Sequence, residues 1–247
     1  MKQLTQALVI GSSGAMGASL VRLLAASGQY DQIHAVSRQL PLEPVDGVKY
    51  QVLPSHSEPK IAEYCQLLAQ SGKHFSLIVC CIGSLHGLTS SGKALRPEKR
   101  FADIHGQQLK HYFQVNTVIP ALWLKHAESL CSSSQAATLV FLSARVGSIS
   151  DNHLGGWYGY RASKAALNML LQTAQIEFNR RAQNVTVVAY HPGTVDSALS
   201  KPFQANVAAE KLFSADFSCQ QLLTHLASLS RTDKAQFIDW QGRQIDW

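Results

Sequence analysis

Residues 7–17 read ALVIGSSGAMG, and this stretch decides the fold. The four apolar residues at 7–10 are typical of a short buried strand. Glycines at positions 11, 14 and 17 permit a tight turn. A helix is predicted to follow over residues 18–26. A strand that passes through a glycine-rich turn into a helix indicates the start of an α/β unit.

The same alternation continues along the chain. Apolar runs predict strands at 33–36, 77–81, 138–142 and 185–190, and helical patterns are found at 61–70, 116–130 and 163–178. Strands that are apolar throughout and separated by helices indicate a parallel sheet covered on both faces. We therefore predict one α/β domain over 1–247, a doubly wound parallel sheet of the Rossmann type.

Two polar or loop-rich segments, 83–108 and 197–218, interrupt the alternation. Both follow the carboxyl ends of predicted strands, where open α/β sheets bind ligands. We expect them to wall a substrate pocket. The alternative is that they are surface loops without a ligand.

Composition excludes several classes of protein. Hydrophobic residues make up 46% of the 247 positions and charged residues 15%, which argues against disorder. The net charge is +6, but the basic residues are scattered, so no nucleic-acid surface is expected. Five cysteines without CxxC or Cys/His spacing favour a reducing compartment and no metal site. No apolar run is long enough for a signal peptide or a membrane span, so a cytoplasmic protein is expected.

The glycine loop is a candidate dinucleotide site. Glycines let backbone N–H groups approach a pyrophosphate, and the helix N-terminus favours its negative charge. The candidate residues are Gly11, Ser12, Ser13, Gly14, Ala15, Met16 and Gly17. The second strand ends in Ser37 and Arg38, with no acid to bind a ribose 2′-hydroxyl, so we predict NADP(H) rather than NAD(H). The alternatives are a turn without ligand and an Arg38 that is only a solvated cation.

Tyr160 and Lys164 form the candidate chemical centre. Their i, i+4 spacing places both side chains on one face of a helix. A nearby ammonium group favours the phenolate, so Tyr160 could exchange a proton with a substrate oxygen near neutral pH. The pair alone is common in proteins. Its weight comes from its place after the predicted strand at 138–142 of a nucleotide-binding fold.

With these residues the chain resembles the short-chain dehydrogenase/reductase family, and within it the C-factor-like and sniffer-like carbonyl reductases. The matching elements, in the family's order and spacing, are the glycine loop, Cys81-Ile82-Gly83, Val115-Asn116, the stretch 143–147, Tyr160 with Lys164, and Pro192-Gly193-Thr194-Val195.

The resemblance implies a role for each element. Tyr160 would be the general acid, and Lys164 would lower its pKa and bind the nicotinamide ribose. Asn116 would hold a water in a proton relay, although a helix N-cap is an alternative role. The backbone of residues 81–83 would contact the cofactor ribose. The nicotinamide amide would be cradled by Pro192, Gly193, Val195 and Ser197, unless Pro192-Gly193 is an ordinary turn.

The sequence also departs from the family's pattern. The glycine spacing is GxxGxxG rather than GxxxGxG, residues 80–83 read CCIG where Asn-Asn-Ala-Gly is usual, and the acid after the third strand is missing. Ala144 occupies the position of the usual catalytic serine. Ser143 precedes it, and adjacent strand side chains point to opposite faces, so a catalytic Ser143 requires a bulge. Ser148 is a further alternative.

Two functions remain open at this stage. One is a reductase that transfers a hydride between NADP(H) and a carbonyl or alcohol. The other is an NADP(H)-binding regulatory or cell-signalling protein, C-factor-like, with weak catalysis. Apolar residues of the two loops favour a partly apolar substrate: Leu85, Leu88, Leu199, Phe203, Leu212 and Phe213.

Helices of the family often pair, so a homodimer or homotetramer is expected. The leucines at 167, 170 and 171 are either part of that interface or part of the core. Four histidines without ligand spacing are interpreted as surface or loop residues: His105, His111, His126 and His153.

Overall fold

The computed structural model describes residues 5–72, 74–89, 92–131, 135–181, 183–229 and 232–247. At its centre is a sheet of seven parallel strands in the order β3-β2-β1-β4-β7-β8-β11. These strands are β1 Gln6–Ile10, β2 Gln32–Ser37, β3 Val48–Val52, β4 Leu77–Cys80, β7 Ala137–Leu142, β8 Val185–His191 and β11 Gln236–Asp239. The doubly wound α/β prediction is confirmed.

Helices cover both faces of this sheet. They are α1 Ala15–Ser27, α2 Glu58–Gln70, α3 Gly106–Phe113, α4 Ile119–Ala127, α5 Tyr158–Arg180 and α6 Ala215–Ser228. One apolar core lies between the sheet and α2, α4 and α5, and a second lies between the sheet and α1 and α6. Leu167 and Leu171 are fully buried in the first core, which leaves Leu170 as the partly exposed leucine of the three.

Short strands shape the two loop segments. The pair β5 Gly87–Leu88 and β6 Ala94–Leu95 is antiparallel, and β9 Thr194–Val195 runs parallel to β10 Leu212–Phe213. The predicted segment 83–108 includes residues 90–91, which lie outside the described part of the chain. No helix among the described residues is long and apolar enough to cross a membrane.

Several boundaries differ from the sequence prediction. Helix α5 begins at Tyr158, five residues before the predicted start at 163. The helix predicted over 116–130 begins instead at Gly106 and continues through a π turn at Gln114–Val118. Asn116 therefore lies inside a helix, and the alternative of a helix N-cap is wrong.

Candidate active site

The glycine loop is closely packed at the carboxyl end of β1. The backbone N–H groups of Gly11 and Ser12 both donate to the carbonyl of Val36, at 2.8 and 3.0 Å. A Cβ on Gly17 would lie 2.3 Å from the Gly11 carbonyl oxygen, so this crossing of loop and helix requires glycine. Gly11 itself has a positive φ of 82°. The GxxGxxG spacing thus satisfies the steric needs of the turn.

The surroundings of the Ser12 side chain favour an anion bound at this loop. Its side chain is 1% exposed, and its Oγ has no hydrogen-bond partner among the described residues. Buried hydroxyl groups are normally hydrogen-bonded. Ser13, Gly14 and Ala15 are exposed beside it at the start of α1, where N–H groups lack helical partners. Met16 differs, because its sulfur lies 3.8 Å from Cys219 Sγ in the second core.

The segment after β4 closes the other side of the loop. A Cβ on Gly11 would lie 3.3 Å from both Cγ1 and the backbone nitrogen of Ile82. Cys81 N donates to the Ile10 carbonyl at 2.8 Å, which continues the sheet beyond β4. Gly83 lies near two predicted site residues, because its Cβ position is 3.6 Å from Lys164 Nζ and 3.7 Å from Asn116 Oδ1.

Asn116 fixes this segment through its side chain. Its Oδ1 accepts from Ser84 N at 2.8 Å, while its Nδ2 donates to the Ser84 carbonyl and to Ser163 Oγ, both at 3.0 Å. Pro120 has no N–H, so the α-helical bond to the Asn116 carbonyl cannot form. The π turn at Gln114–Val118 accommodates that loss, and such turns are frequent at functional sites.

Tyr160 and Lys164 lie one helical turn apart on α5, and both are buried. They are 7% and 3% exposed, and Lys164 Nζ lies 5.9 Å from the centroid of the Tyr160 ring. Lys164 Nζ donates to the Leu142 carbonyl at 2.8 Å. Burial lowers the pKa of Lys164 to about 8 and raises the pKa of Tyr160 well above its ordinary value. Burial therefore outweighs the expected lowering of the Tyr160 pKa by the ammonium group.

The two residues at the end of β7 have different surroundings. Ser143 Oγ donates to Asn168 Oδ1 at 2.6 Å and is buried beneath α5. Ala144 instead packs in a small cluster with Tyr160, Tyr112, Leu85 and Leu95. The methyl group of Ala144 thus lies beside Tyr160, whereas the hydroxyl of Ser143 is hydrogen-bonded to Asn168 on α5. Ser148 is also engaged elsewhere, with Ser150 and Asp151 N.

Aromatic side chains form a wall beside Tyr160. Trp157 contacts the Tyr160 ring at a centroid distance of 6.1 Å and the Phe203 ring at 5.1 Å. His86 lies 5.8 Å from Phe203, and its Nε2 is 2.7 Å from the Ala198 carbonyl. The segments 83–108 and 197–218 therefore meet at this wall.

Not all of the apolar loop residues belong to that wall. Leu85 and Phe203 do, whereas Leu88 is 69% exposed and Leu199 is 38% exposed. Leu212 and Phe213 form β10, and the Phe213 ring packs against the tilted Trp240 ring at a centroid distance of 4.4 Å.

The loop after β8 is fixed from its backbone. Ser218 Oγ donates to the Pro192 carbonyl at 2.6 Å, and Ser197 Oγ donates to the Val195 carbonyl at 3.3 Å. Gly193 has a φ of 76°, and a Cβ there would lie 2.7 Å from the Phe213 ring. The glycine is thus required both by conformation and by space.

At the other end of the glycine loop, Ser37 and Arg38 follow β2. Ser37 is buried and its Oγ donates to the Gln39 carbonyl, whereas Arg38 is exposed. His56 accepts from Trp123 Nε1 at 3.2 Å, and burial together with the nearby Arg38 lowers the pKa of His56 to about 4. Arg38 is therefore a positively charged side chain that is available at this position to an anionic group.

Sequence reasoning missed Glu98, Tyr112 and Trp157, which all lie around Tyr160. Glu98 stands in a charged run that resembles a solvated loop, and no periodicity marks it. The glycine pair before Trp157 was the available signal, because paired glycines indicate a turn with unusual backbone angles.

Among the described residues, no group of three or more His, Cys, Asp or Glu side chains is placed to hold a metal. His111 and His126 lie on α3 and α4 rather than in loops.

Comparison with known proteins gives consistent results. C-signal of Myxococcus xanthus is 30% identical over 106 residues, which cover 43% of this chain and 58% of that protein. The chain thus spans little more than half the length of that curated relative. The carbonyl reductase Sniffer of D. melanogaster and the NADPH-bound carbonyl reductase from chicken fatty liver both superpose with a TM-score of 0.82. Their identities are 18% and 20%, and each comparison covers 99% of this chain and 100% of the other.

These two structures share the fold at low identity, so the family assignment has to come from the sequence. The model of the short chain dehydrogenase family matches residues 5–208, which include the glycine loop, Asn116, Tyr160, Lys164 and the loop after β8. The chain therefore belongs to the short-chain dehydrogenase family.

Proposed function

We propose that this chain is an NADP(H)-dependent reductase that transfers a hydride to a ketone or aldehyde, with Tyr160 as general acid. The observation that carries the proposal is the arrangement of three buried residues, Tyr160, Lys164 and Asn116, around the exposed Gly83 at the carboxyl ends of β4 and β7. A nicotinamide cofactor, when bound, supplies the hydride. The unpartnered Ser12 hydroxyl and the exposed start of α1 fit its pyrophosphate.

The chain's own residues would handle the proton. Tyr160 has a raised pKa, so it is protonated at neutral pH and can donate to an oxygen that develops negative charge. Lys164 adds a positive charge that favours the resulting phenolate. Asn116 holds the backbone of Ser84 and thereby the position of Gly83 beside Lys164. We do not assign Ser143 a catalytic role, because its hydroxyl donates a hydrogen bond to Asn168 Oδ1.

Arg38 supports the preference for NADP(H). Its guanidinium group is exposed at the end of β2, where it can form paired hydrogen bonds to a 2′-phosphate. The aromatic wall of Trp157 and Phe203 favours substrates with an apolar or aromatic group next to the carbonyl.

The test follows NADPH consumption with a panel of aromatic and aliphatic carbonyls. We expect turnover in the wild-type chain and a loss of roughly 10²–10⁴-fold in kcat for Tyr160→Phe. NADPH affinity, measured by fluorescence titration, should be retained in that variant. No turnover across the panel would contradict the proposal.

The second candidate is an NADP(H)-binding regulatory protein with weak catalysis, and Ala144 is the observation that favours it. The hydroxyl that the family usually places beside the tyrosine is replaced by a methyl group. In that case a partner interaction would depend on NADPH, and Tyr160→Phe would leave it unchanged.

A further inference from the structure

Glu98 is a buried carboxylate that lies outside the set of Tyr160, Lys164 and Asn116. It is 1% exposed, and its Oε2 accepts the N–H of Gly159 at 3.1 Å. Its Oε1 is also buried and has no hydrogen-bond partner among the described residues. Removing a carboxylate from water is costly, so its presence beside the site requires a compensating interaction.

That interaction is the first turn of α5. Gly159 is the second residue of the helix, and the first N–H groups of a helix have no partner within it. The positive end of the helix dipole also favours a negative charge there. The approach is close, because a Cβ on Gly159 would lie 2.9 Å from Glu98 Oε1 and 2.6 Å from the Tyr112 ring. Tyr160 is the next residue along this turn.

The backbone before α5 is unusual as well. Gly155, Gly156 and Trp157 have consecutive positive φ angles of 63°, 65° and 54°, and Trp157 is the one residue other than glycine with a positive φ in the described part of the chain. This conformation is strained for a bulky residue other than glycine. Three hydrogen bonds to two other residues, Glu98 and Arg161, hold these three residues in place.

Trp157 N donates to the Glu98 carbonyl at 2.5 Å. The Arg161 guanidinium group donates to the carbonyls of Gly156 and Gly155, at 2.9 and 3.1 Å. Glu98 is thus bonded to Trp157 through its backbone and to the following helical turn through its side chain. Trp157 in turn packs on both Tyr160 and Phe203.

We propose that Glu98 is a positioning residue that sets the start of α5, so that Tyr160 and the Trp157 wall are held in their places around the substrate. The effect on turnover rests on the proposed function. The effect on Trp157 does not, so the two can be tested separately.

The experiment compares Glu98→Ala and Glu98→Gln with Asp103→Ala. Glutamine keeps an oxygen that can accept from Gly159, whereas alanine removes it. Asp103 is a matched control, because it caps an exposed turn five residues later through Arg100. All variants are labelled with 5-fluorotryptophan and examined by ¹⁹F NMR. The chain has four tryptophans, and the Trp157 signal is assigned from Trp157→Phe.

For Glu98→Ala we expect the Trp157 signal to shift while the other tryptophan signals stay in place. The value of kcat should fall roughly 10- to 100-fold, and the NADPH Kd should stay within about twofold. Glu98→Gln and Asp103→Ala should retain kcat within about threefold and keep the wild-type Trp157 signal.

A folded Glu98→Ala with unchanged kcat and an unchanged Trp157 signal would overturn the proposal. If Glu98→Ala does not fold, Glu98→Gln decides. A tenfold loss of kcat in that variant would overturn the proposal, because glutamine keeps the acceptor for Gly159 N, whereas retained activity and signal support the positioning role. If the wild-type chain shows no turnover, the proposed function fails, and the Trp157 signal in Glu98→Ala alone decides this proposal.

Discussion

At the scale of single residues, burial controls the protonation of the central pair. Burial disfavours the charged form of each group, so it lowers the pKa of Lys164 to about 8 and raises the pKa of Tyr160. Protonated Tyr160 and charged Lys164 therefore coexist below about pH 8. Above that pH, Lys164 loses its proton while Tyr160 keeps its own.

This protonation order predicts the pH dependence of carbonyl reduction. We expect kcat/KM to be level near neutral pH and to fall as the pH rises through about 8, because the positive charge of Lys164 is lost. Steady-state rates at several pH values measure this. In Lys164→Arg, whose guanidinium group keeps its charge, kcat/KM should be lower but should not fall in that range. A fall at the same pH in both proteins would assign the titration to another group.

Ala144 and Ser143 give a second prediction at this scale. A hydroxyl at Ala144 would lie in the cluster that contains Tyr160, where it could donate to the developing negative charge. We expect Ala144→Ser to raise kcat by roughly tenfold, since a donor of this kind contributes at most about 10²–10³-fold in preorganised sites. Rates on the best carbonyl of the panel measure the effect, and an unchanged kcat would contradict it.

Ser143→Ala is the counterpart, and its effect should be on stability. The substitution removes the donor to the buried Asn168 Oδ1, which costs roughly 1–3 kcal/mol of unfolding free energy. Turnover per folded molecule should stay within about threefold of wild type. A large loss of kcat with unchanged stability would restore Ser143 as a catalytic residue.

At the scale of elements, the crossing of the glycine loop and α1 depends on Gly17. A Cβ there would overlap the Gly11 carbonyl, whereas a Cβ on Gly14 would meet it at an ordinary 3.6 Å. We expect Gly17→Ala to lower the unfolding free energy without cofactor by roughly 1–3 kcal/mol. Gly14→Ala, the matched control, should change it by less than about 0.5 kcal/mol. Urea unfolding measures both, and equal effects would contradict the steric argument.

The elements also show what the sequence could and could not predict. The central strands were predictable because parallel strands that are buried on both faces are nearly continuous apolar runs. The glycine turn was predictable because it directly follows the first of these runs. Strand β3 was not among the predicted runs, because its residues alternate between half-buried and exposed. The early start of α5 was missed because Gly159 and the preceding glycines weaken the helical pattern.

The candidate site divides in the same way. Tyr160, Lys164 and Asn116 follow from local spacing and family order, and the structure brings them together around Gly83. The contact between Glu98 and Gly159 joins residues that are 61 positions apart, and no local pattern encodes it. The direction in which the Ser143 side chain points depends on how the end of β7 packs against α5. A single sequence does not contain that information.

At the scale of the whole molecule, an ion pair connects the edge strand β11 to the loop that packs against Lys164. Arg145, in the loop after β7, contacts the buried carboxylate of Asp239 at 2.9 Å and the partly exposed carboxylate of Asp151 at 3.0 Å. The same loop continues to Gly147, whose Cβ position lies 2.8 Å from Lys164 Cβ. Loss of the ion pair between Arg145 and Asp239 would thus affect both the edge of the sheet and the surroundings of Lys164.

We expect Arg145→Ala to lower the unfolding free energy by roughly 1–3 kcal/mol. The Asp239 side chain is only 4% exposed, and removing its partner leaves a buried charge. The loss of unfolding free energy should be smaller than for a fully buried ion pair, because the Arg145 side chain is 45% exposed. Asp239 also keeps hydrogen bonds from the N–H groups of Gln241 and Arg243. Lys60→Ala, which breaks an exposed pair with Glu63, should cost less than about 0.5 kcal/mol. Urea unfolding of both variants at neutral pH tests this difference, and equal losses would show that burial of Asp239 contributes nothing to the pair.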